Sequence, residues 1–300
     1  MTKWHADHYA DEMVQIDAAI EANDLIAEQT YRLRVSVPPI AAAALPGQFV
    51  MIRLQGRDAP LIGRALAIYE VVLDPLGEPT WIDLIYLRKG AMTSALAAAP
   101  LGTSVTVWGP LGNRFSDQPC DRLIMAAGGI GQTPMLMLGQ QASGVQHFGG
   151  EAQSSGWARS VELIYGARRA SLLAGVDDFR RAGIDVSLCT DDGSAGSAAL
   201  VPQLVAERLS EIAGHERARV VTCGPEIMME KVAEVCRESG VPCQVSMETP
   251  MACGIGICFS CVARVREPLA PGRESGDPEW DYKRTCVEGP IFDSERICWR

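Results

Sequence analysis

Cys253-Gly-Ile-Gly-Ile-Cys258-Phe-Ser-Cys261 places three thiols within nine residues, and Cys286 follows twenty-five positions later. The spacing C-x4-C-x2-C with a distant fourth cysteine is the plant-type ligand pattern for a 2Fe-2S cluster, in which one loop wraps the cluster and a remote thiol closes it. Such a loop turns backbone amides toward the sulfurs, and Gly254 and Gly256 remove the side chains that would obstruct this. A structural zinc site is the competing metal reading. Zinc knuckles normally carry two C-x2-C pairs, and only Cys258 and Cys261 form one here. Spacing alone leaves two candidates for the closing ligand, Cys286 and Cys298. Six of the ten cysteines fall within the last 58 residues. A tail of that length cannot build a large apolar core, so a metal staple is expected in a small unit over residues 244–300.

The rest of the chain is ordinary in bulk. Its 300 residues are 47% hydrophobic and 21% charged, enough for two or three packed domains and too apolar for disorder. Lys plus Arg number 27 against 37 Asp plus Glu, a net charge of −10. That balance leaves no basic face for a phosphate backbone, so no nucleic-acid partner is expected. The opening MTKWHADHYADEMVQ does not read as an export signal, and no segment offers eighteen uninterrupted apolar residues. A cytoplasmic protein without a membrane span is expected, where clustered thiols serve metals or chemistry more often than disulfides. The scattered Cys120, Cys189 and Cys236 read as small buried hydrophobes.

Pattern divides what precedes the tail. From Val14 to Phe115 the text is strand-length apolar runs broken by turns, IAEQTYRLRVSV, PGQFVMIRL, ALAIYEVVL, TWIDLIYL and TSVTVWG, with one brief helical turn after Met92. This spacing suggests a small antiparallel barrel over 14–117. From Asp121 the strands RLIMAAGG, VELIYGARR, IDVSLCTDD and RVVTCGP alternate with helical stretches, the signature of a parallel α/β sheet over 118–243. Residues 143–160 are rich in Gly, Ser and Gln and read as an exposed loop.

Two glycine turns end strands of the α/β part. Gly128, Gly129 and Gly131, with Thr133 after them, precede a helix, and Cys223-Gly224-Pro225 precedes another. Glycines at strand ends let a ligand's phosphates approach the backbone, and two such ends flank one crevice at the carboxyl edge of an open sheet. In the barrel, Arg64-Ala65-Leu66-Ala67 opens one strand, and Arg88-Lys-Gly90-Ala-Met92-Thr93-Ser94 leads into the helical turn. An arginine near a helix start that carries hydroxyls is the composition needed to hold a pyrophosphate.

The order RALA, KGAMT, GPLGNRF, AAGGIGQTP, YGAR, TDDGSAG, CGP, MACGIGICFSC and YKRTCVEGPIF, spanning Ala19 to Phe292, resembles the electron-transfer subunits of NAD-dependent dihydroorotate dehydrogenase, within the ferredoxin-NADP reductase superfamily. The resemblance places the fourth cluster ligand on Cys286, giving Cys253, Cys258, Cys261 and Cys286. It implies FAD on the barrel, NAD on the α/β domain and a 2Fe-2S cluster in the tail. Arg64 to Ala67 match the family's Arg-Pro-x-Ser flavin motif, with Ala65 and Ala67 standing where it has Pro and Ser or Thr. Gly90 to Thr93, Met92 included, match its Gly-Lys-Gly-Thr turn at the FAD pyrophosphate, and Tyr86 and Leu87 fall on the strand that contacts the flavin. The implied partner is an FMN-containing subunit that oxidises dihydroorotate to orotate in pyrimidine biosynthesis, in a heterotetramer. Electrons would pass singly through the cluster to the flavin, which delivers a hydride to NAD. No general acid or base is required of this chain, none is assigned, and no residue is assigned to read the ribose. The segment 264–281 lengthens the gap before Cys286 and reads as a partner-facing loop.

Two rivals stand beside this reading. The same cofactors would serve a reductase component feeding an oxygenase, a hydrogenase or a ferredoxin. A non-enzymatic binding protein would hold zinc on the cysteines and leave the flavin turn empty.

Overall fold

The computed structural model describes residues 12–56, 59–149, 153–212, 215–267 and 279–299. Period-two alternation builds the first half. In β1 (Val14–Ala27), Val14, Ile16, Ala18 and Ile20 turn toward the barrel interior, where they meet Leu33 and Val35 of β2 (Thr30–Ser36). The stretch expected as one strand, Ile26 to Val37, is the end of β1, a tight turn at Glu28-Gln29 and β2. Gln29 takes the turn at φ +57. A short helix α1 (Pro38–Ala43), not expected from pattern, leads into β3 (Phe49–Leu54). The wall is completed by β4 (Arg64–Leu73), β5 (Pro79–Leu87), helix α2 (Ala91–Ala97) and β6 (Ser104–Leu111), and closes in the order β1-β2-β5-β4-β3-β6.

The second half is a six-stranded sheet. Its parallel strands are β7 (Cys120–Gly128), β8 (Ala158–Ala167), β9 (Asp185–Thr190), β10 (Ala218–Cys223) and β11 (Cys243–Ser246). Every residue of β10 is buried, as expected of a strand covered on both faces. Alternation on β7 sends Leu123, Met125 and Ala127 toward α3 (Met135–Ser143) and α4 (Val176–Arg181). It sends Ile124 and Ala126 toward α5 (Val201–Ser210) and α6 (Glu226–Glu238) on the other face.

The cysteine-rich tail is sewn into that sheet. β11 spans the boundary expected at 243/244. After the hairpin of β12 (Val262–Arg266) and β13 (Trp280–Arg284), β14 (Ile291–Asp293) returns antiparallel to β11, giving the order β14-β11-β10-β7-β8-β9. Strands of three and four residues carry no readable period, which is why the tail reads as separate in sequence. Residues 268–278, the middle of the expected partner-facing loop, lie outside the described residues, as do 150–152 of the expected loop at 143–160. The latter stretch is not simply exposed, for it buries Phe148 against the barrel core and Trp157 against the sheet core.

Barrel and sheet meet through polar contacts as well as apolar ones. Arg32 of β2 forms an ion pair with Asp178 of α4, and Tyr69 of β4 donates a hydrogen bond to the same carboxylate at 2.7 Å. Gln146 Nε2 donates to the Val71 carbonyl at 3.1 Å.

Candidate functional site

The link after β11 carries the first three thiols. Gly254 (φ +75) and Gly256 (φ +78) adopt the left-handed conformation that bends the loop back on itself. Three donors from outside the loop hold it. Trp108 Nε1 reaches the Cys253 carbonyl at 3.0 Å, Arg284 Nη1 the Gly256 carbonyl at 3.1 Å, and the Thr285 amide the Cys261 carbonyl at 2.7 Å. The last contact brings Cys286 into place, with its Sγ 3.2 Å from Cys261 Sγ.

The four thiols fall into two pairs. Cys261 and Cys286 are buried together, and Cys253 lies within hydrogen-bonding reach of Cys258. Cys258 alone is exposed. Hydrogen bonds from Ser260, then from Cys253, bring the Cys258 thiol down to about 6. The hydrogen bond between Cys261 and Cys286 lowers the Cys261 thiol and holds Cys286 up. The Ile255 amide points at Cys253 Sγ at 3.4 Å. Cys298 sits elsewhere: its amide donates to the Arg264 carbonyl, beside β12.

A first cleft of about 430 Å³ opens between barrel, sheet and this link. Arg64, Ala65, Leu66, Ala67, Tyr86, Leu87, Gly90 and Thr93 all line it. The Arg64 guanidinium stands 4.0 Å from where a Cβ on Gly90 would lie, at the start of α2. Thr93 Oγ1 accepts from the Lys89 and Gly90 amides and so shapes the turn. Tyr86 stacks on Tyr31 with ring centroids 5.5 Å apart and donates to Asn23 Oδ1 at 2.8 Å. Met92, assigned with this turn in the sequence, turns its side chain into the barrel core instead, because the helix places it one residue off the cleft face.

A second cleft of about 640 Å³ lies at the carboxyl edge of the sheet. Gly128, Gly129, Gly224 and Pro225 line it, with Arg168 and Asp191 at neighbouring strand ends. Thr133 and Cys223 open onto the first cleft instead. Gly131 lines neither. An added Cβ there would sit 2.2 Å from the Cys223 carbonyl oxygen, so this glycine lets the two strand-end turns close on each other.

The clefts are continuous. Leu87, Lys89, Ile130 and Glu248 line both. Burial pushes the Glu248 carboxyl up, and the nearby Lys89 ammonium and a long contact from Cys223 Sγ at 3.9 Å pull against that shift. Sequence reading quoted Lys89 within the KGAMT run without giving it a role and missed Glu248, which belongs to no local motif; the fold brings the two together from segments far apart in the chain.

Residues 248–298 match the family model for the iron-sulfur cluster binding domain of dihydroorotate dehydrogenase B. The chain is 31% identical over 284 residues to the dihydroorotate dehydrogenase B (NAD(+)) electron transfer subunit of Desulforamulus reducens, covering 94% of this chain and 98% of that one. It is 32% identical over 283 residues to the subunit of the same name from Geobacillus kaustophilus, covering 93% and 96%. The chain belongs to this family. A solved structure described as an NADH-dependent reduced ferredoxin-NADP oxidoreductase, studied for flavin-based electron bifurcation, aligns with a TM-score of 0.74 at 25% identity over 94% of this chain and 90% of that one. The ferredoxin reductase of carbazole 1,9a-dioxygenase shares the fold with a TM-score of 0.59 at 17% identity, covering 77% of this chain and 67% of that one.

Family and fold imply FAD, a 2Fe-2S cluster and NAD, and the residues present fit them. Two thiol pairs suit two irons, whereas a structural zinc needs four donors around one point. The first cleft offers the guanidinium and hydroxyl that a pyrophosphate needs, and the second offers glycine turns at a sheet's carboxyl edge.

Proposed function

We propose that this chain is the subunit that carries electrons from a dihydroorotate-oxidising, FMN-containing partner to NAD+ in pyrimidine biosynthesis. The observation that carries the reading is serial order. The thiol loop borders the first cleft through Met251, and the first cleft opens into the second through Leu87, Lys89, Ile130 and Glu248. A 2Fe-2S cluster exchanges one electron, NAD a hydride, and a flavin either, so a flavin belongs in the middle place. On this reading Cys253, Cys258, Cys261 and Cys286 hold the cluster. Arg64 to Ala67, Tyr86, Leu87, Gly90 and Thr93 hold FAD, with Arg64 pairing the pyrophosphate. Gly128, Gly129, Gly224 and Pro225 border the dinucleotide. The protein's work is to bind, orient and exclude water, since the cofactors supply the redox chemistry. The division at 117 and 243 follows these three sites, with β11 and β14 shared between the sheet and the cluster segment.

All ten cysteines are free, and among the described residues no helix is long and apolar enough to cross a membrane. Free thiols in this number support a cytoplasmic location. Co-expression with the catalytic dihydroorotate dehydrogenase subunit tests the partner: a stable complex, expected as a heterotetramer, that reduces NAD+ with dihydroorotate supports the reading. The second reading, a ferredoxin-linked reductase, draws on the structural likeness at 25% identity over 94% of the chain. Reduction of a ferredoxin by NADPH, with no binding of the dihydroorotate-oxidising subunit, would favour it.

A further inference from the structure

One face of the barrel serves both the thiols and the first cleft. Alternation on β3 and β4 puts Phe49, Met51 and Ala65 outside the barrel, while Val50, Ile52 and Leu66 fill its interior, and a one-residue register shift on β6 between Trp108 and Leu111 turns Leu111 to the same outer face. Phe49 and Ala65 line the first cleft. Met51 and Leu111 lie beneath the thiol loop, where a Cβ on Gly254 would come to 2.5 Å from Met51 Cγ and 3.0 Å from Leu111 Cδ1. Met51 pairs in register with Ala65, is wholly buried, and belongs to the same apolar cluster as Cys261 and Cys286. Met251, two residues before Cys253, closes the gap from the other side: it lines the first cleft and packs into that cluster.

We propose that Met51 and Met251 are the positioning residues for electron transfer between cluster and flavin, filling the space between thiol loop and flavin cleft and keeping it dry. Met51 also sets the height of the loop above the barrel through its contact with Gly254. This rests on the cofactor assignment above. In the step itself one electron leaves the reduced cluster, which is oxidised, and enters the flavin, which is reduced. Long unbranched thioethers suit the task, because they fill irregular gaps and are polarisable.

Reducing the cluster adds negative charge to a centre already bound by four thiolates. Apolar packing disfavours that charge and water favours it. A polar side chain at position 51 therefore raises the cluster's potential. The flavin's potential stays where it is, because Met51 does not line the cleft.

The experiment is a redox titration of the whole protein, following the flavin by absorbance and the reduced cluster by electron paramagnetic resonance. Met51→Gln is expected to favour cluster reduction by about tenfold in equilibrium constant, about 59 mV for one electron, with the flavin midpoint unchanged. Met51→Leu, which keeps volume and polarity, is expected to match the wild type. Met251→Gln carries the same cluster expectation from the cleft side, should Met51→Gln fail to assemble a cluster. A wild-type cluster signal whose potential neither glutamine variant moves overturns the inference alone. A wild-type protein with no reduced-cluster signal overturns the cofactor assignment on which it rests.

Discussion

Cys286 and Cys298 pose the same question in sequence and different ones in space. The hydrogen bond from the Thr285 amide to the Cys261 carbonyl carries Cys286 to its partner thiol, while Cys298 is held beside β12. Cys286→Ala is therefore expected to abolish bound iron and acid-labile sulfide, and Cys298→Ala to leave both at wild-type levels, as measured per chain after anaerobic purification. The first three proposed ligands are legible in sequence because their spacing is local. The proposed fourth needs the fold or a family resemblance, and the meeting of Lys89 with Glu248 needs the fold itself. A titration prediction also belongs to single residues. Burial, then the charge of Asp83, raises the Glu70 carboxyl, so the stability tied to its neutral form is present at low pH and is lost as pH climbs through the raised value. Gln146 and Gln140 bond near it on the barrel-facing side, Gln140 Nε2 reaching Glu70 Oε1 at 3.4 Å. The melting temperature of Glu70→Gln relative to wild type is expected to rise as pH increases above about 4, the ordinary carboxylate range.

At the scale of elements, α4 fastens the α/β sheet to the barrel. Asp178 is 8% exposed and takes both the Arg32 ion pair and the Tyr69 hydroxyl. Removing Asp178 leaves the half-buried Arg32 guanidinium without this partner and the buried Tyr69 hydroxyl without its 2.7 Å hydrogen bond, at a cost of about 1–3 kcal/mol. Asp178→Ala is expected to lose stability on that order in urea unfolding, more than Asp177→Ala, whose side chain is 80% exposed in its i,i+3 pair. The larger elements announce themselves in sequence. Strand-length runs between turns give the barrel, and strand alternating with helix gives the parallel sheet, since both periods persist long enough to be read. The turn at Gln29 hides inside a polar stretch that still looks β-prone. β11 and β14 are too short for a period, so their place at the sheet edge comes from pairing alone. Phe148 and Trp157 are buried within a stretch whose composition reads as a loop, because two aromatic anchors outweigh the small polar residues around them.

Across the whole molecule, the thiol loop, the outer barrel face, the first cleft and the second cleft form a series with no break. β11 and β14, which flank the thiol loop and the hairpin, bind that segment to the same sheet that carries the glycine turns of the second cleft. That connection fixes the spacing of the redox sites more rigidly than a flexibly tethered domain would. It also makes the central claim open to one measurement on the isolated chain: an anaerobic titration with NADH, followed by visible absorbance and electron paramagnetic resonance, on protein assayed for flavin and metal. The expected result is one FAD and about two iron atoms per chain, flavin absorbance bleached by NADH, and a reduced 2Fe-2S signal that grows as the flavin is reduced. A colourless protein carrying zinc, or one whose flavin is reduced by NADH while no 2Fe-2S signal appears, would contradict it.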